Sequence, residues 1–131
     1  MAAPIELTAG NFKETIDRPG VVFIDWWAPW CGPCRAFAPI YDAAARQHED
    51  VVFTKINTED QPDLAGAFHI QAIPTLMVFR DGILLFSQAG ALPAAALEEL
   101  IRQVKALDMD EVRKKVEELR QKKPSAPEGS A

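Results

Sequence analysis

Apolar residues fall into two rhythms along this chain. Val21-Val22-Phe23-Ile24-Asp25-Trp26-Trp27 is almost continuous, the pattern of a strand buried on both faces, as in a parallel sheet. Val51 to Ile56 reads as a second inner strand. Leu76 to Arg80 is followed by the turn signal Asp81-Gly82 and a returning strand, Ile83 to Ser87. Ile5 to Leu7 is a short candidate edge strand. Helical spacing alternates with these runs. Thr8 is the expected cap of a helix over 9–16, with Phe12 and Ile16 on one face. Arg35 to Arg46 is an alanine-rich helix carrying Pro39, where a kink is expected. A short helix starts at Asp60-Gln61-Pro62 and reaches about Phe68. Pro93 opens a helix with Leu97, Leu100, Ile101 and Val104 on one face. Strands alternating with helices, then a hairpin and a last helix, predict an α/β sheet covered on both sides.

Beyond Ala106 the pattern changes. Asp108 can cap a further helix, with Glu111 three residues on. Met109, Val112, Val116 and Leu119 recur at alternating spacings of three and four. Glu111 with Lys115, and Lys114 with Glu118, are candidate i, i+4 pairs. The expected organisation is a domain over 1–107, an amphipathic helical extension over 108–123 and a disordered tail over 124–131, rich in Pro, Ser, Gly and Ala. The extension can dock on its own domain, associate with a second copy or hold a partner.

Composition narrows the function. The chain has 131 residues, 48% hydrophobic and 25% charged, as expected of one soluble domain with an appendage. A net charge of -5 without a basic cluster argues against a nucleic-acid partner. The apolar runs are too short for a membrane span. The N-terminus has no basic segment followed by an apolar one, so no signal peptide is expected. The two cysteines stand three apart in Trp30-Cys31-Gly32-Pro33-Cys34. A bridge that short cannot staple a fold. A working pair in a cytoplasmic protein fits better. It lies where a strand gives way to a helix, the setting in which C-x-x-C reads as a redox motif. Unpaired N–H groups and a partial positive charge at the helix start favour the thiolate. Pro33 suits the first helical position. A zinc site needs about four ligands. His48 and His69 supply no such set with the cysteines, so no metal is expected.

These residues resemble the thioredoxin family. The likeness rests on Asp25-Trp26-Trp27-Ala28-Pro29-Trp30-Cys31-Gly32-Pro33-Cys34, then Ala38-Pro39, Lys55 with Asn57, Ile73-Pro74-Thr75, Asp81-Gly82 and Gly90-Ala91. It spans about residues 1–107. The resemblance implies a thioredoxin fold: a central five-stranded mixed sheet flanked by four helices, here with an extra C-terminal helix. It implies a cis bond between Ile73 and Pro74. It also implies reduction of protein disulfides with no bound cofactor, the redox-active Cys31–Cys34 disulfide serving instead, and re-reduction by a thioredoxin reductase. Trp26 replaces a common phenylalanine, and Ala72 a frequent glycine.

The expected chemistry follows residue by residue. Cys31 is the candidate nucleophile at the exposed edge of the helix start, with the Cys34 N–H aimed at its sulfur. Cys34 is the more buried resolving thiol. Asp25 is a charge inside an apolar strand, costly without a role or partner. It can take the Cys34 proton through water, its pKa raised by burial and moderated by Lys55 of the next inner strand. Trp30, Gly32, Pro33, Ile73, Pro74, Gly90 and Ala91 form the expected substrate rim. Trp26 and Trp27 are assigned to the core, and His48 to a helix C-terminus. His69 is read as structural and Arg35 as a solvated charge. Two other readings compete with a general reductase: a binding module using the rim and the tail helix, and a disulfide oxidase. The intact Cys pair with Asp25 favours the reductase over the first. Gly32-Pro33 counts against the second.

Overall fold

In the computed structural model, which describes residues 3–122, five strands form one mixed sheet in the order β1-β3-β2-β4-β5. The strands are β1 (Ile5–Glu6), β2 (Val21–Trp27), β3 (Val52–Asn57), β4 (Thr75–Arg80) and β5 (Ile83–Ala89). β2 runs parallel to β3 and antiparallel to β4, and β1 adds in parallel to β3. The helices are α1 (Phe12–Ile16), α2 (Gly32–Gln47), α3 (Pro62–Ala67), α4 (Ala94–Ala106) and α5 (Met109–Lys122). The proposed tail, 124–131, lies outside the described residues.

The continuous apolar run of β2 is explained by its place at the centre of the sheet. Its alternate side chains feed two cores. Val21 and Phe23 meet Phe37, Tyr41, Leu97 and Ile101 of α2 and α4. Val22, Ile24 and Trp26 meet Ile16 of α1, with Leu64 and Phe68 from the α3 region. Period-two alternation therefore places Asp25 on the α2 side.

Local chemistry corrects one helix start. Thr8 does not cap a helix over 9–16. Instead its N–H donates to Asn11 Oδ1 at 2.7 Å, and its hydroxyl accepts from Gly10 N at 3.2 Å. These side chains close a turn on themselves, and α1 begins only at Phe12, after Asn11. Pro39 lies within α2, which continues as one helix through Gln47. The Asp81-Gly82 turn has φ of 53° and 80°, both positive as a two-residue hairpin turn of the primed type requires. Asp81 Oδ1 also accepts from Gly20 N at 2.8 Å, tying the hairpin to the start of β2.

Asp108 caps α5 as expected, accepting from Asp110 N at 3.0 Å and Glu111 N at 3.4 Å. Lys114 approaches Glu111 at 3.9 Å, a spacing of three rather than the expected four. Met109 is buried, Val112 and Val116 are half-buried, and Leu119 is exposed. The stripe thus sinks at its first turn and rises towards solvent.

Arg80 links these parts. Its Nη1 donates to the carbonyls of Val104, Lys105 and Leu107 at 2.8, 3.2 and 3.1 Å, at the end of α4, where a helix runs out of intrahelical donors for its last carbonyls. Arg80→Met is expected to lower stability by about 1.5–3 kcal/mol, the range for hydrogen bonds to a charged group. Urea denaturation measures it. Unchanged stability would show that water replaces the guanidinium at no cost.

Candidate active site

β2 ends at Trp27, and four residues later the chain enters α2. Cys31 is the N-cap of that helix. Its sulfur accepts from Cys34 N at 3.2 Å, one of the donors that a helix start leaves unpaired. Cys31 and Cys34 are joined in a disulfide. Both residues are almost covered, at 4% and 3% exposure. The anticipated contrast between an exposed and a buried thiol is therefore small in this oxidised form. Gly32 and Pro33 lie exposed between them, with Pro33 inside the first helical turn.

A second loop faces the sulfur. The Ile73–Pro74 bond is cis, and Ile73 O stands 3.8 Å from Cys31 Sγ. Gly90, at φ 107°, donates its N–H to Pro74 O at 2.8 Å, so the loop carrying Gly90 and Ala91 is fastened to the proline loop. That φ favours glycine. Trp30 is 64% exposed, yet its Nε1 donates to Glu59 Oε2 at 2.7 Å. Arg35 is more than a solvated charge: its guanidinium donates to Pro29 O at 2.9 Å and so braces the loop before the disulfide.

Beneath α2, Asp25 and Lys55 stand directly opposite each other on β2 and β3. With Cys34, Trp27, Tyr41 and Asp42 they line a cavity of about 90 Å³, well above the roughly 10–15 Å³ a cavity needs to hold one water. Asp25 is 4% exposed, and its Oδ1 accepts no hydrogen bond among the described residues. Burial pushes its carboxyl up to about 7, against the pull of Lys55 and with smaller upward pushes from Asp42 and Glu6. Lys55 Nζ rests 4.9 Å from the centre of the Trp27 ring, a cation–π contact. Trp27 thus borders the cavity, whereas Trp26 is pure core at 0% exposure.

Three neighbours of the site escaped sequence reasoning. Glu59 has no motif and is brought to Trp30 by the loop after β3. Tyr41 and Asp42 are adjacent in α2 but reach the cavity only once α2 lies on the sheet. Tyr41 donates its hydroxyl to Thr54 O at 2.7 Å, and burial together with the Asp25 charge holds its phenol well above the usual range. His48 caps the other end of α2, 2.8 Å from Glu98 Oε1. His69, exposed next to α3, adopts φ 55°.

The Thioredoxin family model matches residues 3–103. The chain belongs to the thioredoxin family. A Streptomyces coelicolor protein provisionally named thioredoxin 2 is 52% identical over 118 residues, 90% of this chain and 88% of that one. Thioredoxin 1 of a Nostoc species is 39% identical over 105 residues, 79% of this chain and 98% of that one. Among solved structures, the oxidised form of mitochondrial thioredoxin 3 from Saccharomyces cerevisiae superposes with a TM-score of 0.70 at 32% identity, covering 76% of this chain and 94% of that chain. This thioredoxin is a thiol-disulfide oxidoreductase. It reduces protein disulfides by dithiol–disulfide exchange through Cys31 and Cys34. Among the described residues no helix is long and apolar enough to cross a membrane.

The raised Asp25 pKa makes stability fall with pH. Below about pH 4 the group is protonated in both states and its burial adds no charge penalty. Between about 4 and 7 the unfolded chain releases the proton while the folded one keeps it, so stability drops, and above 7 the loss is complete. Asp25→Asn is expected to match the parent near pH 4 and to exceed it at pH 8, by up to about 4 kcal/mol. Urea titrations at the two pH values check this; an equal effect at both would mean that the carboxylate carries no burial penalty.

Proposed function

We propose that this thioredoxin is a general cytoplasmic electron carrier that maintains thiol redox balance, with each site residue in a defined role. The observation that carries the reading is the Cys34 N–H aimed at Cys31 Sγ from the start of α2. In the reduced protein that donor and the helix-terminal charge stabilise negative charge on Cys31. The Cys31 thiolate attacks one sulfur of a substrate disulfide. A mixed disulfide forms and one substrate thiolate leaves. Cys34 then gives its proton to Asp25, through water in the cavity beneath α2, and its thiolate attacks Cys31 Sγ. The Cys31–Cys34 bond forms, and the second substrate sulfur departs and is protonated. Two electrons have passed to the substrate. A thioredoxin reductase returns them, restoring both thiols.

Lys55 limits how far the Asp25 pKa rises, since its charge opposes the desolvation that lifts it. Trp30, Gly32, Pro33, Ile73, Pro74, Gly90 and Ala91 make the rim on which an extended substrate segment lies, with backbone groups beside Pro74 available for pairing. A cytoplasmic setting suits a cysteine pair that works rather than staples. Residues 1–107 would carry the whole reductase and 108–123 an appendage. Truncation after Ala106 should leave insulin reduction nearly intact, because no residue of the proposed site lies beyond Ala91.

Insulin reduction with NADPH and a thioredoxin reductase tests the activity. The order of attack has its own test: Cys31→Ser should abolish turnover, and Cys34→Ser should accumulate mixed disulfides visible on non-reducing gels. Adducts on Cys31→Ser instead would reverse the two roles. Asp25→Asn should slow the resolving step more than the first attack in stopped-flow measurements. Unchanged rates for both would remove Asp25 from the proton path.

A further inference from the structure

Around the axis of α5 the apolar stripe Val112, Val116 and Leu119 has Lys115 and Lys122 along one edge and Arg113 and Arg120 along the other, following a helical period of 3.6 residues. The acidic residues Asp110, Glu111, Glu117 and Glu118 all fall outside these edges. The arginine edge is engaged. Arg113 bonds Asp110 at 2.9 Å and reaches Asp81 of the hairpin at 3.4 Å, and Arg120 lies 3.8 Å from Glu117. Met109, on the same side, is buried. The lysine edge faces outward. Among the described residues neither Lys115 nor Lys122 has a carboxylate partner, and beside them Leu119 is 59% exposed.

We propose that this outward face docks an amphipathic helix of a partner protein whose apolar stripe is edged by glutamate or aspartate. Charge complementarity selects that occupant. A second copy of α5 would bring a basic edge against a basic edge in either orientation, the arrangement that disfavours pairing in coiled coils. An anionic membrane would meet a stripe without aromatic residues on a chain of net charge -5. The remaining tail, Lys123 to Ala131, offers no apolar stripe. A partner helix with acidic edges meets Lys115 and Lys122 and covers Leu119.

The position of this face gives its purpose. Asp81 follows Arg80, which pairs with Val21 at the start of β2, whereas Thr75 pairs with Trp26 near the disulfide. β2 from Val21 to Trp27 spans about 20 Å at about 3.3 Å per residue. The Arg113–Asp81 contact holds the start of α5 at the pole of the domain away from Cys31. A partner docked on α5 would then leave the rim around Trp30 open. The face acts as a tether that raises the local concentration of reductase near a chosen assembly, and it takes no part in substrate recognition.

The full chain is tested with synthetic helical peptides carrying one valine–leucine stripe, edged either by glutamate or by lysine. Fluorescence anisotropy should show binding of the glutamate-edged peptide, weakened about tenfold by K115E/K122E and by raised salt. The lysine-edged peptide should prefer the K115E/K122E variant, and Leu119→Asp should weaken both pairings. Insulin reduction should be unchanged in all variants. Equal binding of the two peptides, or none, overturns the proposal. So does stronger binding to phosphatidylglycerol vesicles than to the glutamate-edged peptide, or a dimer in sedimentation that Leu119→Asp dissolves. Loss of insulin reduction in a folded variant would place α5 in the reductase site and overturn the tether.

Discussion

β2 has a hydrogen-bonded neighbour on each edge and a helical layer on each face. Such a strand cannot shift by one residue without sending Phe23 and Trp26 to the wrong layers. Its register is therefore held firmly, and whatever follows Trp27 inherits that position. Cys31 is four residues on, at the first turn of a helix whose own apolar side is pinned by Phe37, Tyr41 and Ala44. The proline loop opposite is fixed by the same means, because Thr75 starts β4, the other neighbour of β2. Two loops on adjacent strands are thus brought to one sulfur by packing that lies wholly below them.

The same strand carries its main thermodynamic liability. An apolar residue at position 25 would complete the core on the α2 side. A carboxylate there is desolvated, and Lys55 on the neighbouring strand supplies an opposing charge. A cavity between Cys34 and this pair adds a packing defect. The stability cost and the proposed proton role thus fall on one residue, as in other sites where a fold tolerates a locally unfavourable group.

Much of this was legible in the residues. The buried strands announce themselves by unbroken apolar runs, and the hairpin by Asp81-Gly82. The two charges in apolar strands, Asp25 and Lys55, could be paired on paper because parallel neighbours in register bring them level. The resemblance supplied the strand count and the cis bond. What stayed hidden depends on tertiary approach. Thr8 is a good capping residue, but the path of the chain after β1 turns its polar atoms to Asn11 and Gly10 instead. Glu59 is an ordinary surface glutamate until the loop after β3 lifts it to Trp30. Sequence periodicity gave α5 a stripe but not its tilt. Which end sinks is decided by Arg80 and Asp81, some thirty residues away in sequence.

Glu59 is itself held, since its N–H donates to Asn57 Oδ1 at 2.9 Å, and Asn57 ends β3. An indole standing mostly in water is in this way wired to the rigid sheet through two polar contacts. A free tryptophan side chain loses conformational freedom when a ligand lands on it, at a cost of about 0.5–1.5 kcal/mol. Here folding has already imposed that order. On the proposed rim, a disulfide-bearing segment laid against Trp30 would meet an indole whose order folding has already imposed.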